Sequence, residues 1–193
     1  IKDNYKFGCL IENEKPDIIF HAAALKHITF VESDPLEALK NNFLSTVNIS
    51  KMCIKFKVPK MIFISTDKAV NPSNIMGATK RLCEKYIQMI SKNSSTNFKI
   101  LRFGNVLGST GSVIPLFEKQ IHNGGPITIT HPNITRYFMT IREAVELVLI
   151  SALEKNIENG NINILEMGKP VKIKDLAERM IKLSGKELNK DIK

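Results

Sequence analysis

Long apolar runs are missing from this sequence. The longest uncharged apolar stretch, around Ile18 to Leu25, falls well short of the roughly 20 residues a bilayer span requires. Cysteine is scarce too. Cys9, Cys53 and Cys83 are odd in number and far apart, which argues against a disulfide framework and for reduced thiols in a cytoplasmic compartment. No basic segment followed by a short apolar one opens the chain, so no signal peptide is read there. Tryptophan is absent and only three tyrosines occur, leaving little aromatic surface for stacking on nucleic-acid bases. His21, His27, His122 and His131 lack metal-ligand spacing, so packed or hydrogen-bonded histidines are expected and no metal site. No G-x-G-x-x-G occurs either. The nearest spacing, Gly104, Gly108 and Gly111, has the wrong intervals and follows the wrong strand.

What is present is enough for a real core: 193 residues, 43% of them hydrophobic, fit one domain or slightly more. The formal charge of +9 raises three anionic partners: nucleic acid, a membrane surface or a phosphorylated substrate. Much of the excess lies in Lys172, Lys174, Arg179, Lys182, Lys186, Lys190 and Lys193. These are spread through an amphipathic stretch and read as a solvated helix face, with no nucleic-acid partner expected.

Apolar runs from Asp17 to Ala22 and from Lys60 to Ser65 are rich in isoleucine and phenylalanine, as parallel strands covered on both faces should be. Between them Ser33-Asp34-Pro35 opens a helical pattern carrying Leu36, Leu39, Phe43 and Val47. A second unit follows, with a helix from about Asn74 to Ile90 and a strand around Lys99 to Phe103. The fold class is therefore α/β, a doubly wound parallel sheet. After Phe103 glycines punctuate shorter elements, which the pattern reads as a smaller lobe. Expected there are a helix near Val113 to His122, a strand near Ile127 to Thr130, a T-x-x-E capping box at Thr140 and Glu143 opening a helix through Leu153, and a last helix from Ile173 to Ser184 closed at Gly185.

Ser65-Thr66-Asp67-Lys68 follows a strand directly and so places a hydroxyl, a carboxylate and an amine at its C-terminal end, the edge where open α/β sheets bind ligands. Met76 and Lys80 lie four apart on one helix face. Read by themselves, these residues fit a surface turn with ordinary helix charges as well as they fit an active site.

Five runs break that tie by resemblance: His21-Ala22-Ala23-Ala24-Leu25-Lys26-His27; Ser65-Thr66-Asp67-Lys68-Ala69-Val70-Asn71-Pro72; Met76-Gly77-Ala78-Thr79-Lys80-Arg81; Arg102-Phe103-Gly104-Asn105-Val106-Leu107-Gly108-Ser109 with Gly111-Ser112-Val113-Ile114-Pro115; and Thr130-His131-Pro132 with Thr135-Arg136-Tyr137-Phe138-Met139-Thr140. In that order the chain resembles the polysaccharide-biosynthesis UDP-N-acetylglucosamine 4,6-dehydratases, extended short-chain dehydrogenases/reductases that feed capsule, O-antigen or protein-glycan pathways. The resemblance implies a Rossmann-like core over 1–110 and, over 111–193, a mainly substrate-binding lobe partly interleaved with it. It also implies a chain cut at both ends, lacking the turn for the cofactor's pyrophosphate and inactive by itself.

The same resemblance implies a bound NAD that takes hydride from C4 of the sugar and returns it to C6 after water leaves across C5 and C6. Lys68 then resembles the C5 base and Asp67 the acid for the C6 hydroxyl. Thr66 resembles the group bonded to the C4 oxygen, and Lys80 the lysine at the nicotinamide ribose. Met76 replaces the usual tyrosine; a thioether has no proton to exchange, and the substitution resembles the larger, membrane-anchored branch. Ala22, Ala23, Lys26, Asn42 and Ser65, with Lys80, resemble the cofactor side. Asn105, Val113, Gln120, Thr128 and Arg136 resemble the UDP-sugar pocket, where a guanidinium suits diphosphate oxygens. A homo-oligomer paired through the helices near Pro35 and Asn74 is implied as well, and a cytoplasmic enzyme whose full-length form is anchored at the inner face of the bacterial inner membrane through other segments. A sugar-nucleotide 4-epimerase or keto-sugar reductase of the same fold is the nearest alternative, and a non-catalytic basic binding module the remote one.

Overall fold

The computed structural model describes residues 3–109, 111–155 and 158–189. These divide into two compact units, one built from 1–103 with 148–165 and the other from 104–147 with 166–193.

The first unit is a parallel α/β layer structure. Its elements run α1 (Asn4–Glu14), β1 (Ile18–His21), α2 (Ile28–Ser33), α3 (Pro35–Ala38), α4 (Ser45–Lys55), β2 (Lys60–Thr66), α5 (Ile75–Ser91), β3 (Asn97–Phe103) and, later in the chain, β7 (Ile162–Ile164). The strands form one parallel sheet in the order β1-β2-β3-β7. Met61, Ile62 and Phe63 of β2 and Phe98, Ile100 and Leu101 of β3 are buried, which is why these strands show unbroken apolar runs instead of alternation. Ile11, Ile49, Cys53, Cys83 and Ile87 cover one face of the sheet from the helices. Val148 and Ala152 pack with Ile62 and Leu101.

The helix expected to open at Asp34 does so: the Asp34 carboxylate accepts from the Glu37 amide at 3.0 Å, with Pro35 in the first turn. Its buried face differs from the expected one. A wide, π-type turn over Leu39–Leu44 separates α3 from α4. Leu36 and Leu39 are exposed, while Ala38, Asn42, Ser45, Thr46 and Ile49 face inward.

The second unit contains β4 (Asn105–Val106), α6 (Val113–His122), β5 (Thr135–Arg136), β6 (Phe138–Met139), β8 (Val171–Lys172) and α8 (Ile173–Leu183). Helix α7 (Ile141–Leu153) begins in it and continues into the first unit's sequence range. Its ladders are two residues long: β4 with β6, parallel, and β5 with β8, antiparallel. Phe117, Ile173 and Ala177 form its core with Ile127, Ile129 and Phe138 against them. The capping box is made: Thr140 N–H donates to Glu143 Oε2 at 2.7 Å and Glu143 N–H to Thr140 Oγ1 at 3.1 Å. Gly185, at φ +75°, closes α8 with Gly185 N–H on the Lys182 carbonyl and Lys186 N–H on that of Ile181. No strand forms at Ile127–Thr130. Ile127 and Ile129 still point alternately into the core, so burial alone reproduced the spacing that reads as a strand.

Candidate active site

The C-terminal end of β2 carries the densest polar chemistry of the first unit. Thr66 ends the strand, and Asp67–Ala69 form a single tight turn anchored by buried Ala69. Thr66 Oγ1 donates to Asp67 Oδ1 at 2.9 Å, and Lys68 Nζ donates to the same oxygen at 2.9 Å. The Asp67 and Lys68 side chains are each about three-quarters buried, a partly screened ion pair whose two ends remain reachable from solvent.

Helix α5 lies against this turn. Asn74 caps it, accepting from Gly77 N–H at 2.8 Å. Gly77 is there for room: a Cβ on it would lie 2.3 Å from the Lys68 carbonyl oxygen, so the helix approaches the turn after β2 more closely than any side chain allows. One turn further, Lys80 Nζ donates to the Ile64 carbonyl at 2.8 Å and stands 4.6 Å from the centroid of the Phe63 ring. Burial lowers its pKa to about 8, with Cys83 and Glu84 holding it from falling further.

Met76 is buried in an apolar cluster with Val31 and Ala38, against Leu25 and Ile75. Asn42, in the wide turn, clamps the loop after β1: it accepts from Leu25 N–H at 2.7 Å and donates to the Leu25 carbonyl and to Thr79 Oγ1, both at 3.1 Å. That loop carries Ala22 and Ala23, both exposed and small, and exposed Lys26. His21, at its root, is buried beside Phe63 and shares a 2.9 Å hydrogen bond with Thr46 Oγ1. Burial first, and the Lys80 charge second, push its pKa down to about 3, so the ring is neutral near pH 7. Because Thr46 gives its own proton to the Asn42 carbonyl at 2.6 Å, the histidine must donate through Nε2.

Ser65 is committed inward. Its hydroxyl donates to buried Glu84 Oε1 at 2.6 Å. In the first unit, then, Thr66, Asp67, Lys68, Met76 and Lys80 belong to one strand end and the helix against it, and Asn42 bonds the loop of Ala22, Ala23 and Lys26. Gly77 and Glu84 were missed in the sequence. A close helix–turn approach and a buried carboxylate are both tertiary facts.

In the second unit Gln120 and Thr128 meet: Gln120 Nε2 donates to Thr128 Oγ1 at 2.8 Å and Thr128 N–H returns to Gln120 Oε1 at 3.3 Å. Asn105 lies in β4, Val113 begins α6, and Arg136 in β5 donates to the Thr135 carbonyl at 2.7 Å. Among the described residues no cluster of histidine, cysteine, aspartate or glutamate could hold a metal ion, and no helix is long and apolar enough to cross a membrane.

Residues 1–193 match the family described as polysaccharide biosynthesis protein. The capsular polysaccharide biosynthesis protein CapD of Staphylococcus aureus is 55% identical over 174 residues, 90% of this chain and 29% of that protein. A UDP-glucose 4-epimerase of Rickettsia canadensis is 46% identical over 136 residues, 69% of this chain and 40% of that one. The chain thus spans well under half the length of these relatives. Among solved structures, Pen from Bacillus thuringiensis superposes with a TM-score of 0.89 at 38% identity, over 100% of this chain and 60% of that one. DesIV of Streptomyces venezuelae, a dTDP-glucose 4,6-dehydratase crystallised with NAD, superposes with a TM-score of 0.87 over 100% of this chain and 64% of that one; at 15% identity it shows the fold alone. That fold is Rossmann-like, a parallel sheet with flanking helices, and with the match along its whole length the chain belongs to the family of polysaccharide biosynthesis proteins.

Proposed function

We propose that this chain is the catalytic part of an NAD-dependent 4,6-dehydratase that converts UDP-N-acetylglucosamine, or a related UDP-hexose, to its 4-keto-6-deoxy form for surface polysaccharide or glycan synthesis. The observation that carries the reading is the bonded run Thr66–Asp67–Lys68 at the end of β2. Elimination needs an acid and a base side by side. A 4-epimerase, the activity named for the Rickettsia relative, removes no hydroxyl and needs no acid and base at C5 and C6.

NAD would supply the hydride acceptor and donor at the sugar. The residues present suit its nicotinamide side: small, exposed Ala22 and Ala23 leave the end of β1 open, and the Lys80 ammonium has three donors, of which the bond to Ile64 uses one. Once C4 is a ketone, its neighbour C5 is acidic. Moving one proton from the Lys68 ammonium to the Asp67 carboxylate, across their 2.9 Å hydrogen bond, turns the ion pair into a neutral amine and a carboxylic acid. Lys68 then takes the C5 proton while Asp67 protonates the departing C6 hydroxyl, which leaves as water and restores the ion pair; as C6 is reduced, Lys68 would return a proton to C5, and the proton shed by the C4 hydroxyl would balance the one lost with water. Thr66 holds the C4 oxygen. Met76 has no proton to give and fills space.

For the UDP-sugar we assign Asn105, Val113, Gln120, Thr128 and Arg136, with Arg136 toward the diphosphate. Exposed Leu36, Leu39 and Leu44, with Leu82 and Met89 of α5, support pairing of two copies through these helices. We place the full-length enzyme on the cytoplasmic face of the membrane, held by segments other than this one.

The test is to incubate the full-length enzyme with UDP-N-acetylglucosamine in deuterium oxide and follow the sugar by NMR. A 4-keto-6-deoxy product labelled at C5 is expected. A C4 epimer that keeps its C6 hydroxyl would establish the epimerase instead.

A further inference from the structure

Behind the catalytic turn lies a charged group that the proposed chemistry does not use. Glu84 of α5 is fully buried, and its two oxygens receive four donors. Oε1 accepts from Ser65 Oγ at 2.6 Å and from Arg102 Nε at 2.7 Å; Oε2 accepts from Arg102 Nη2 at 2.6 Å and from Arg81 Nη1 at 3.1 Å. Every acceptor site of the carboxylate is thereby used. Ser65 and Arg102 are opposite each other in the β2–β3 register, so one side chain joins the helix to both strands at the same level of the sheet.

The level matters. Only one further pair, Thr66 with Phe103, follows in the ladder before the chain leaves the sheet as Asp67 and Lys68. On the helix, Lys80 precedes Glu84 by four residues and bonds the carbonyl of Ile64, the residue before Ser65. Two successive residues of β2 are thus tied to two successive turns of α5. A buried ion pair is not needed for stability, because apolar side chains of like volume commonly replace one at no loss. What apolar packing lacks is direction: it does not fix where along the helix Ser65, and with it Thr66, is held.

We propose that Glu84 is the positioning residue of the site, fixing the end of β2 on α5 so that Thr66, Asp67 and Lys68 stand in a set place relative to Lys80. The proposal rests on the reading of these residues as catalytic, but not on which sugar reaction they perform.

Two variants of the full-length enzyme test it. Glu84→Leu with Arg102→Met removes both buried charges together; Arg81, whose side chain is 37% exposed, is left to water. Glu84→Asp keeps the anion for the arginines but withdraws it from Ser65 by one methylene. Turnover is followed by loss of UDP-N-acetylglucosamine, so either reaction registers, and folding by thermal melting. The paired variant is expected to melt near the wild type, with KM for the sugar nucleotide within about threefold and kcat lowered about 10- to 100-fold, the range that a misplacement near 1 Å produces. Glu84→Asp should lose about tenfold in kcat, again at constant KM. A folded paired variant with wild-type kcat overturns the proposal. If that variant does not fold, wild-type kcat and KM in Glu84→Asp overturn it instead. Loss of kcat with a C4 epimer as product would keep Glu84 in its role while removing the dehydratase reading.

Discussion

The two units differ in how their polar groups are held. In the first, the central strands β2 and β3 are buried on both faces, and the buried charged groups are tied to fixed partners. Glu84 is enclosed by Ser65, Arg102 and Arg81, and Lys99 reaches the Ser151 and Glu154 carbonyls at the end of α7, where Lys60 also bonds Ala152. In the second, the ladders are two residues long, and Gln120, Thr128 and Arg136 bond to near neighbours in partly exposed segments. Fixed geometry suits reacting groups, which tolerate little displacement. Less tightly held segments suit the recognition of a large, charged portion of a substrate that does not react.

The largest effect that would break this division is kinetic. In the full-length enzyme Asp67→Asn and Lys68→Ala should each lower kcat by roughly 100- to 10,000-fold while KM stays nearly constant. The double variant should be little worse than the poorer single one, because in the proposed mechanism the two residues act in one elimination. Arg136→Ala should do the reverse, raising KM with a smaller change in kcat. Steady-state kinetics on UDP-N-acetylglucosamine decides: a pure KM effect at Asp67, or a pure kcat effect at Arg136, would dissolve the distinction between the units.

Next in size is packing. Phe98 in β3 is completely buried under a sheet that cannot close over its loss, and Phe98→Ala should cost about 4–5 kcal/mol in urea unfolding. Phe117 is nearly as buried, but beside the residues of α6 and α8 its neighbours Ile127, Ile129, Ile134 and Phe138 come from short or irregular segments that can relax. Phe117→Ala should cost nearer about 3 kcal/mol. Equal losses would show that the second unit is packed as rigidly as the first.

The same contrast decides what was legible in the sequence. Strands β2 and β3 were readable because burial on both faces leaves an apolar run, and Thr140, Glu143 and Gly185 because capping is local chemistry. The strand expected at Ile127–Thr130 failed where alternation came from irregular chain packing on Phe117 and Met180. Leu36 and Leu39, read as part of an apolar helical pattern, are exposed, and the buried face instead carries Ala38 and the polar Asn42, Ser45 and Thr46, which an apolar period does not mark. Helix α1 was not anticipated. Gly8 lies in its middle, against Phe56 and Met52, and no apolar period marks it. At the site, Thr66, Asp67 and Lys68 were visible as a strand-end run. Gly77 was only part of a motif, and Glu84 only a helix charge, until the fold placed one on the Lys68 backbone and the other beneath Ser65.

A smaller effect follows from His21. The folded protein keeps this ring neutral down to about pH 3, whereas the unfolded chain protonates it near 6.5. Between these values the unfolded state binds more protons, so stability falls as pH is lowered through the window, by up to about 1.4 kcal/mol per pH unit. Above about pH 6.5 the contribution is complete and flat. Urea unfolding at pH 7.5 and pH 5.0 should show the loss in the wild type and a reduced slope in His21→Gln. An unchanged slope would assign acid sensitivity elsewhere.

The smallest expected effect concerns Met76, and its smallness is what makes it informative. The side chain fills an apolar cluster with Val31 and Ala38, and Leu25 and Ile75 pack against it. Leucine has nearly the same volume and no polar atom to strand there, so Met76→Leu should cost under about 1.5 kcal/mol of stability. Because neither side chain can exchange a proton, it should also keep most of the kcat that Asp67→Asn and Lys68→Ala remove. Measured beside those variants on one enzyme preparation, it separates a residue that shapes the site from residues that act in it. Loss of turnover in Met76→Leu, with near-normal turnover at Asp67 and Lys68, would move the chemistry from the strand end to the helix face and require another acid and base.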